Sequence, residues 1–191
     1  MACLLLSLLL ALSLVSPLVQ ANIVPELGSC LNGFSIPDSL VGSPSYNDAA
    51  AAYNLRLHPS PIGVAFPKST QEVSDALSCA SKYNIPVGSS EFFSLTGNVT
   101  CEPNIPLSTV TRSGGHSYAA FGLGGEQEPG ALTIDMKHFR SFSYDDATTT
   151  ATFGPGLRLG DLALALNDHG RALPHGTCPT VGSGGHASFG G

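Results

Sequence analysis

The chain has 191 residues, 14 of them acidic and 8 basic, for a formal net charge of −6. That balance, with no cluster of Lys and Arg, argues against nucleic acid as a partner. Few charges with 22 glycines and 14 prolines suit one loop-rich globular domain, and the length is enough to bury a core.

Residues 1–21 read as a secretory signal peptide. Met1-Ala2-Cys3 leads into a leucine-rich run from Leu4 to Val15, Ser16-Pro17 interrupts it, and Val19-Gln20-Ala21 places aliphatic and small residues at the −3 and −1 positions of a cleavage site. The competing reading is a membrane anchor. A span needs about 20 clean apolar residues, and Ser, Pro and Gln break this stretch. No later segment is apolar enough to span a bilayer, so the expectation is a secreted, extracellular product with no membrane partner after cleavage.

Five cysteines are present. Cys3 leaves with the signal peptide, and an oxidising compartment favours pairing among the rest. Cys30 with Cys79 is the favoured disulfide, closing a long loop and tying the N-terminal segment to a helix. Cys101 is then left over and Cys178 is reserved for chemistry; the alternative pairs Cys101 with Cys178. Asn98-Val99-Thr100 is a glycosylation acceptor in an exported chain.

Along the chain, residues 22–53 are polar and turn-rich and end in an alanine run. Asn54-Leu55-Arg56-Leu57 and Ile62-Gly63-Val64-Ala65-Phe66 have the composition of short strands, separated by Pro59 and Pro61. Ser69 and Glu72 form a capping box. Val73, Ala76, Leu77 and Ala80 follow at helical spacing, which predicts an amphipathic helix over 70–83. Asn84-Ile85-Pro86-Val87 is extended, completing a strand–helix–strand unit. Residues 88–109 then show no sustained period, and Asn104-Ile105-Pro106-Leu107 echoes Asn84–Val87. Leu132–Met136 reads as a strand, and Phe142–Tyr144 pairs with Thr148–Phe153 as a hairpin across Asp145-Asp146. Asp161–Asp168 is a helix burying Leu162, Ala163 and Leu166, with Gly170 as its stop. The fold class is α+β.

Two glycine-rich loops carry the chemistry. The first is Arg112-Ser113-Gly114-Gly115-His116-Ser117-Tyr118; the second runs from His175-Gly176-Thr177-Cys178-Pro179 through Thr180-Val181-Gly182-Ser183-Gly184-Gly185-His186. Consecutive glycines let backbone N–H groups approach a pyrophosphate, and each loop adds a nucleophile. Arg112 either adds a charge-assisted contact or is a solvated loop residue. His116 has a nitrogen able to attack an activated flavin methyl, against the commoner reading of a loop histidine bonded to a carbonyl. Cys178, with His175 as a neighbour to lower its thiol pKa, has a thiolate able to add to the adjacent ring carbon, against a disulfide or buried thiol. A zinc reading of Cys178, His175, His186 and His116 matches no compact zinc module and leaves the glycines without a purpose, so no metal is expected.

These loops resemble those of the FAD-linked oxidases of the vanillyl-alcohol-oxidase fold, with its PCMH-type FAD-binding domain. More narrowly they resemble the berberine-bridge-enzyme-like branch that includes fungal glucooligosaccharide oxidases. The resemblance covers roughly residues 30–191, with both loops in order and a helix and hairpin between them. It implies a bicovalent FAD, His116 bonding the flavin 8α-methyl and Cys178 bonding C6. It implies that Arg112, Ser113, Gly114, Gly115 and Ser117 of the first loop, and Val181, Gly182, Gly185 and His186 of the second, line the cofactor. The Cys30–Cys79 pair matches the family's N-terminal disulfide.

The organisation this implies is an N-terminal part of the FAD-binding domain over 54–191, a small βαβ subdomain followed by part of a second mixed-sheet subdomain, with the substrate domain and the catalytic base absent. The expected reaction oxidises an alcohol or anomeric hydroxyl, of an oligosaccharide in the leading reading, and passes electrons to O2 to give H2O2. The alternatives are a secondary metabolite such as an alkaloid as substrate, or a truncated secreted product with no catalysis. The chain alone is expected not to turn over substrate. Residues 88–109 are an atypical insertion, read as a translated intron or gene-model error against a genuine surface insertion.

Overall fold

The computed structural model describes residues 17–83, 109–126 and 129–189. Asn98, Cys101, the extended piece at Asn84–Val87, residues 1–16 of the expected signal peptide and nearly all of the 88–109 insertion lie outside the described residues.

Residues 22–53 are more regular than their composition suggests. Helix α1 (Pro17–Gly33) runs across the expected cleavage point, although Pro25 removes one of its hydrogen bonds. What holds it is an apolar stripe: Leu27 and Leu31 are fully buried, with Ile23 and Val24 packed beside them. These positions recur at helical spacing, but Pro25, Gly28 and Gly33 mask the signal. Gly28 faces Leu40, where an added Cβ would lie 3.0 Å from Cδ1. Strand β1 (Asp38–Leu40) and the single turn α2 (Tyr46–Ala49) follow.

The expected strand at Asn54–Leu57 is instead a turn. Asn54 Oδ1 accepts from the Arg56 N–H at 3.2 Å and the Asn54 carbonyl accepts from the Leu57 N–H at 3.0 Å. The asparagine side chain replaces a ladder partner and reverses the chain. The next segment is a strand as expected, β2 (Gly63–Ala65), buried throughout.

Helix α3 (Thr70–Lys82) matches the periodicity. The Ser69 hydroxyl accepts from the Glu72 N–H at 3.1 Å, while the Glu72 carboxylate accepts from the Lys68 N–H at 2.8 Å, one residue ahead of the capping box's usual donor. Cys79 on its buried face forms a disulfide with Cys30 of α1.

Strand β3 (Thr109–Arg112) starts at the last residue assigned to the insertion, because Thr109 pairs with Leu132 of β4 (Leu132–Asp135). The sheet order is β1-β2-β4-β3; β1 is antiparallel to β2, and β2–β4 and β4–β3 are parallel. Helices α1 and α3 cover one face, and their Leu27, Leu31, Ala76 and Ala80 pack on Ala65, Leu132 and Ile134. Among the described residues no helix is long and apolar enough to cross a membrane.

A second, smaller core follows. Strands β5 (Phe142–Asp145) and β6 (Thr150–Phe153) form the antiparallel hairpin anticipated from the sequence. Its turn is organised by Asp145, whose carboxylate accepts from the Thr148 hydroxyl and the Ala147 N–H; these hydrogen bonds hold its pKa below the ordinary range. Helix α4 (Leu159–Asn167) packs Leu159, Leu162 and Leu166 against Phe142, Tyr144 and Phe153, with Ala163 only half-buried. Gly170 ends it with φ of +63°. A short helix not expected from the sequence, α5 (Ser183–Phe189), begins within the second glycine loop.

Candidate functional site

Parallel register places the first loop. Arg112 ends β3 directly opposite Asp135 at the end of β4. Its Nε and Nη2 donate to Asp135 Oδ2 at 2.8 and 2.5 Å, and Nη1 donates to the Ala49 carbonyl at 2.7 Å. The Arg112 and Asp135 side chains are only 14% and 6% exposed. Arg112 is therefore not a solvated loop residue, and its guanidinium is engaged in anchoring the loop.

The two loops then meet backbone to backbone. A Cβ on Gly114 would lie 2.1 Å from the Gly182 nitrogen, and a Cβ on Gly182 would lie 2.2 Å from both the Gly114 nitrogen and Ser113 Oγ. The Ser113 hydroxyl donates to the Pro155 carbonyl. The second loop is laced to the segment before α4: the Leu159 N–H donates to the Val181 carbonyl and the Ser183 N–H to the Leu157 carbonyl, at 2.9 and 2.8 Å. Gly182→Ala is accordingly expected to destabilise the protein by about 2 kcal/mol, since overpacking against fixed backbone cannot relax locally. Urea unfolding checks this; a loss indistinguishable from zero means the loops are not in contact.

The docking brings His116 and Cys178 together. Thr180 Oγ1 lies 2.9 Å from His116 Nε2 and 3.6 Å from Cys178 Sγ. Tyr53 stacks on the imidazole with ring centroids 4.2 Å apart, and Tyr118 meets Tyr53 edge-on. Cys178 is a free, exposed thiol. Partial burial, and then the nearby Arg158 guanidinium, hold the His116 pKa below the ordinary histidine value. Loss of charge keeps the ring neutral and its lone pair available near neutral pH.

Beside His116 is an open cleft of about 580 Å³, lined by Arg112, Ser113, Gly114, Gly115 and His116 and also by Tyr53, Phe66, Asp135, Lys137 and Arg158. Gly115 has φ of +73°, which glycine adopts without strain. Lys137 Nζ sits 3.6 Å from the Phe66 ring centroid, and Arg158 Nη1 donates to the Thr180 carbonyl at 3.1 Å. With Arg112 paired to Asp135, Arg158 and Lys137 supply positive charge against one further lining carboxylate, Asp48.

Cys178 and the other residues assigned to the cofactor lie outside that lining. The Ser117 hydroxyl accepts from the Phe121 N–H at 3.2 Å, capping the 3-10 turn Phe121–Leu123. Val181 packs on the second core. His186 Nε2 accepts from the Gly176 N–H at 3.3 Å, Gly182 serves loop packing, and Gly185 is open around its Cα. His175, read as a neighbour for Cys178, contacts the Gly176 carbonyl through Nδ1. Tyr53, Arg158 and Thr180 were not singled out from sequence. Thr180 stands within the second loop's pattern, whereas Tyr53 and Arg158 have no local signal, because each reaches the site only through tertiary packing.

The profile of the FAD binding domain family matches residues 98–191. A carbohydrate oxidase of Microdochium nivale is 35% identical over 186 residues, covering 96% of this chain and 33% of that protein. The structure of a berberine-bridge-enzyme-like protein of Physcomitrella patens superposes with a TM-score of 0.69 at 36% identity, over 84% of this chain and 30% of that one. Glucooligosaccharide oxidase from Acremonium strictum, described with a 6-S-cysteinyl, 8α-N1-histidyl FAD, superposes with a TM-score of 0.66 at 32% identity, over 84% and 29%. The chain thus spans about a third of the length of the relatives it matches. It belongs to the FAD-linked oxidoreductases with a PCMH-type FAD-binding domain, in the branch of the berberine-bridge-enzyme-like and glucooligosaccharide oxidases.

Proposed function

We propose that this chain forms part of an exported oxidase that carries FAD at two covalent points, His116 and Cys178, and oxidises a hydroxyl of an oligosaccharide with O2 as acceptor and H2O2 as product. The observation that carries this reading is the convergence of both nucleophiles on the Thr180 hydroxyl, with His116 on the wall of a glycine-lined cleft. The Microdochium relative is a carbohydrate oxidase and the Acremonium one a glucooligosaccharide oxidase, which supports the substrate class. The leucine-rich run before Ser16 supports export.

The residues fit the cofactor. Gly114 and Gly115 put bare backbone on the cleft wall, and Arg158 and Lys137 supply the charge that a pyrophosphate requires. Bound there, the flavin would supply two-electron chemistry, accepting hydride from a carbinol carbon and giving electrons to dioxygen. His116 would hold it through Nδ1, since Nε2 is engaged by Thr180. Cys178, exposed and beside the same hydroxyl, would hold it through a thioether bond from Sγ. Tyr53, stacked on His116, fixes the imidazole plane and shields one of its faces from water.

The test uses the full-length flavoprotein that contains this chain: acid precipitation of one portion, and a peroxide assay of a second, native portion on xylo- and cello-oligosaccharides. Yellow colour retained in the precipitate and peroxide formed from a sugar are expected. Flavin left wholly in the supernatant defeats the covalent assignment, and no peroxide from any sugar defeats the substrate class.

A further inference from the structure

Thr180 stands two residues beyond Cys178, and its hydroxyl touches both side chains assigned to the flavin. Its own backbone is held, because its carbonyl accepts from Arg158. A neutral imidazole carries one proton, and the partner of one nitrogen decides which nitrogen keeps it. A hydroxyl accepts and donates at once. If Oγ1 accepts the Nε2 proton, its own proton points to the sulfur 3.6 Å away, within hydrogen-bond range for sulfur. That arrangement leaves the Nδ1 lone pair bare and gives the Cys178 sulfur a hydrogen-bond donor. In the reverse arrangement Nδ1 keeps the proton and cannot attack. Stacking by Tyr53 opposes the ring flip that would exchange the two nitrogens.

We infer that Thr180 is a positioning residue that sets His116 in its Nε2–H tautomer and turns its own proton toward Cys178, so that one hydroxyl primes both flavin-bonding atoms. This rests on the covalent assignment proposed above. In the step it prepares, Nδ1 forms a bond to the 8α-carbon as one C–H bond of that methyl breaks. The two electrons of that bond pass to the ring, the Nε2 proton leaves through the Thr180 hydroxyl, and dioxygen takes up two electrons and two protons as H2O2. The sulfur step balances in the same way: the S–C6 bond forms, the thiol proton and the C6 hydrogen are lost, and a second dioxygen is reduced to H2O2.

Thr180→Val removes the hydroxyl and keeps the shape; Thr180→Ser keeps the hydroxyl. Two readouts are needed on the full chain: the His116 tautomer from 15N-histidine NMR at a pH where the ring is neutral, and the flavin mass on His116 and Cys178 peptides over time after adding FAD in air. The wild-type ring is expected as Nε2–H and the T180V ring as a mixture. Attachment at both residues is expected to slow about tenfold in T180V, the effect of losing roughly one orienting hydrogen bond, and to be restored in T180S. A wild-type Nδ1–H tautomer, or equal attachment rates in T180V, overturns the inference. If wild-type chain gains no flavin at either residue, the covalent assignment fails instead, and the tautomer result alone decides the role of Thr180.

Discussion

Asp135→Ala is expected to destabilise the protein by about 4 kcal/mol, the usual cost of removing one partner of a buried ion pair. The register of β3 on β4 pairs Arg112 directly with this carboxylate, and both side chains are nearly shielded from water. Without Asp135 the guanidinium keeps only the Ala49 carbonyl, and the Lys137 N–H loses its acceptor at Oδ1. The consequence extends to the site, because Arg112 is the residue from which Ser113, Gly114, Gly115 and His116 hang. Covalent flavin on the His116 peptide should fall with stability, while Asp135→Asn, which keeps an oxygen acceptor, should cost less than half as much. Urea unfolding measures the first effect and peptide mass the second. A D135A protein within about 1 kcal/mol of wild type, the range of an exposed pair, would mean that the pair is solvent-screened and does not anchor the loop.

Breaking the Cys30–Cys79 bond is expected to have a comparable effect. The bridge joins residues separated by 49 positions, and closing a loop of that length constrains the unfolded chain by about 4 kcal/mol on the chain-entropy estimate. It also fixes α1 against α3, across the largest of the buried clusters. The double Cys30→Ser, Cys79→Ser variant should therefore unfold at markedly lower urea, and reductant should reproduce that shift in the wild-type chain and add nothing in the variant. A midpoint insensitive to reductant contradicts the bond.

Local pattern carried much of the architecture. Helix α3 followed from Val73, Ala76, Leu77 and Ala80 behind Ser69, and β4, the β5–β6 hairpin and α4 followed from similar short-range periods. The disulfide followed from compartment and loop length. Helix α1 was hidden because Pro25 and Gly28 are helix breakers in isolation, and only packing on Leu40 and the sheet overrides them. Asn54 was misread because strand propensity around Leu55 and Leu57 is weaker than the turn its own amide makes.

At the site, both glycine loops were legible as loops that need glycine, but the reasons divide. Gly115 faces the cleft with a positive φ, whereas Gly114 and Gly182 also exclude side chains because each backbone lies against the other. A close approach between residues so far apart in sequence leaves no local trace. The same holds for the Arg112–Asp135 pairing, which depends on register, and for Tyr53 stacking on His116.

On the function proposed above, the two docked loops bring one imidazole and one thiol to the same flavin. Proteolysis of the flavin-loaded protein, without reduction and followed by peptide mass analysis, tests it most directly. A single cross-linked species containing the His116 peptide, the Cys178 peptide and one FAD is the expected result. Flavin confined to one of the two peptides, or found on neither, contradicts the shared site.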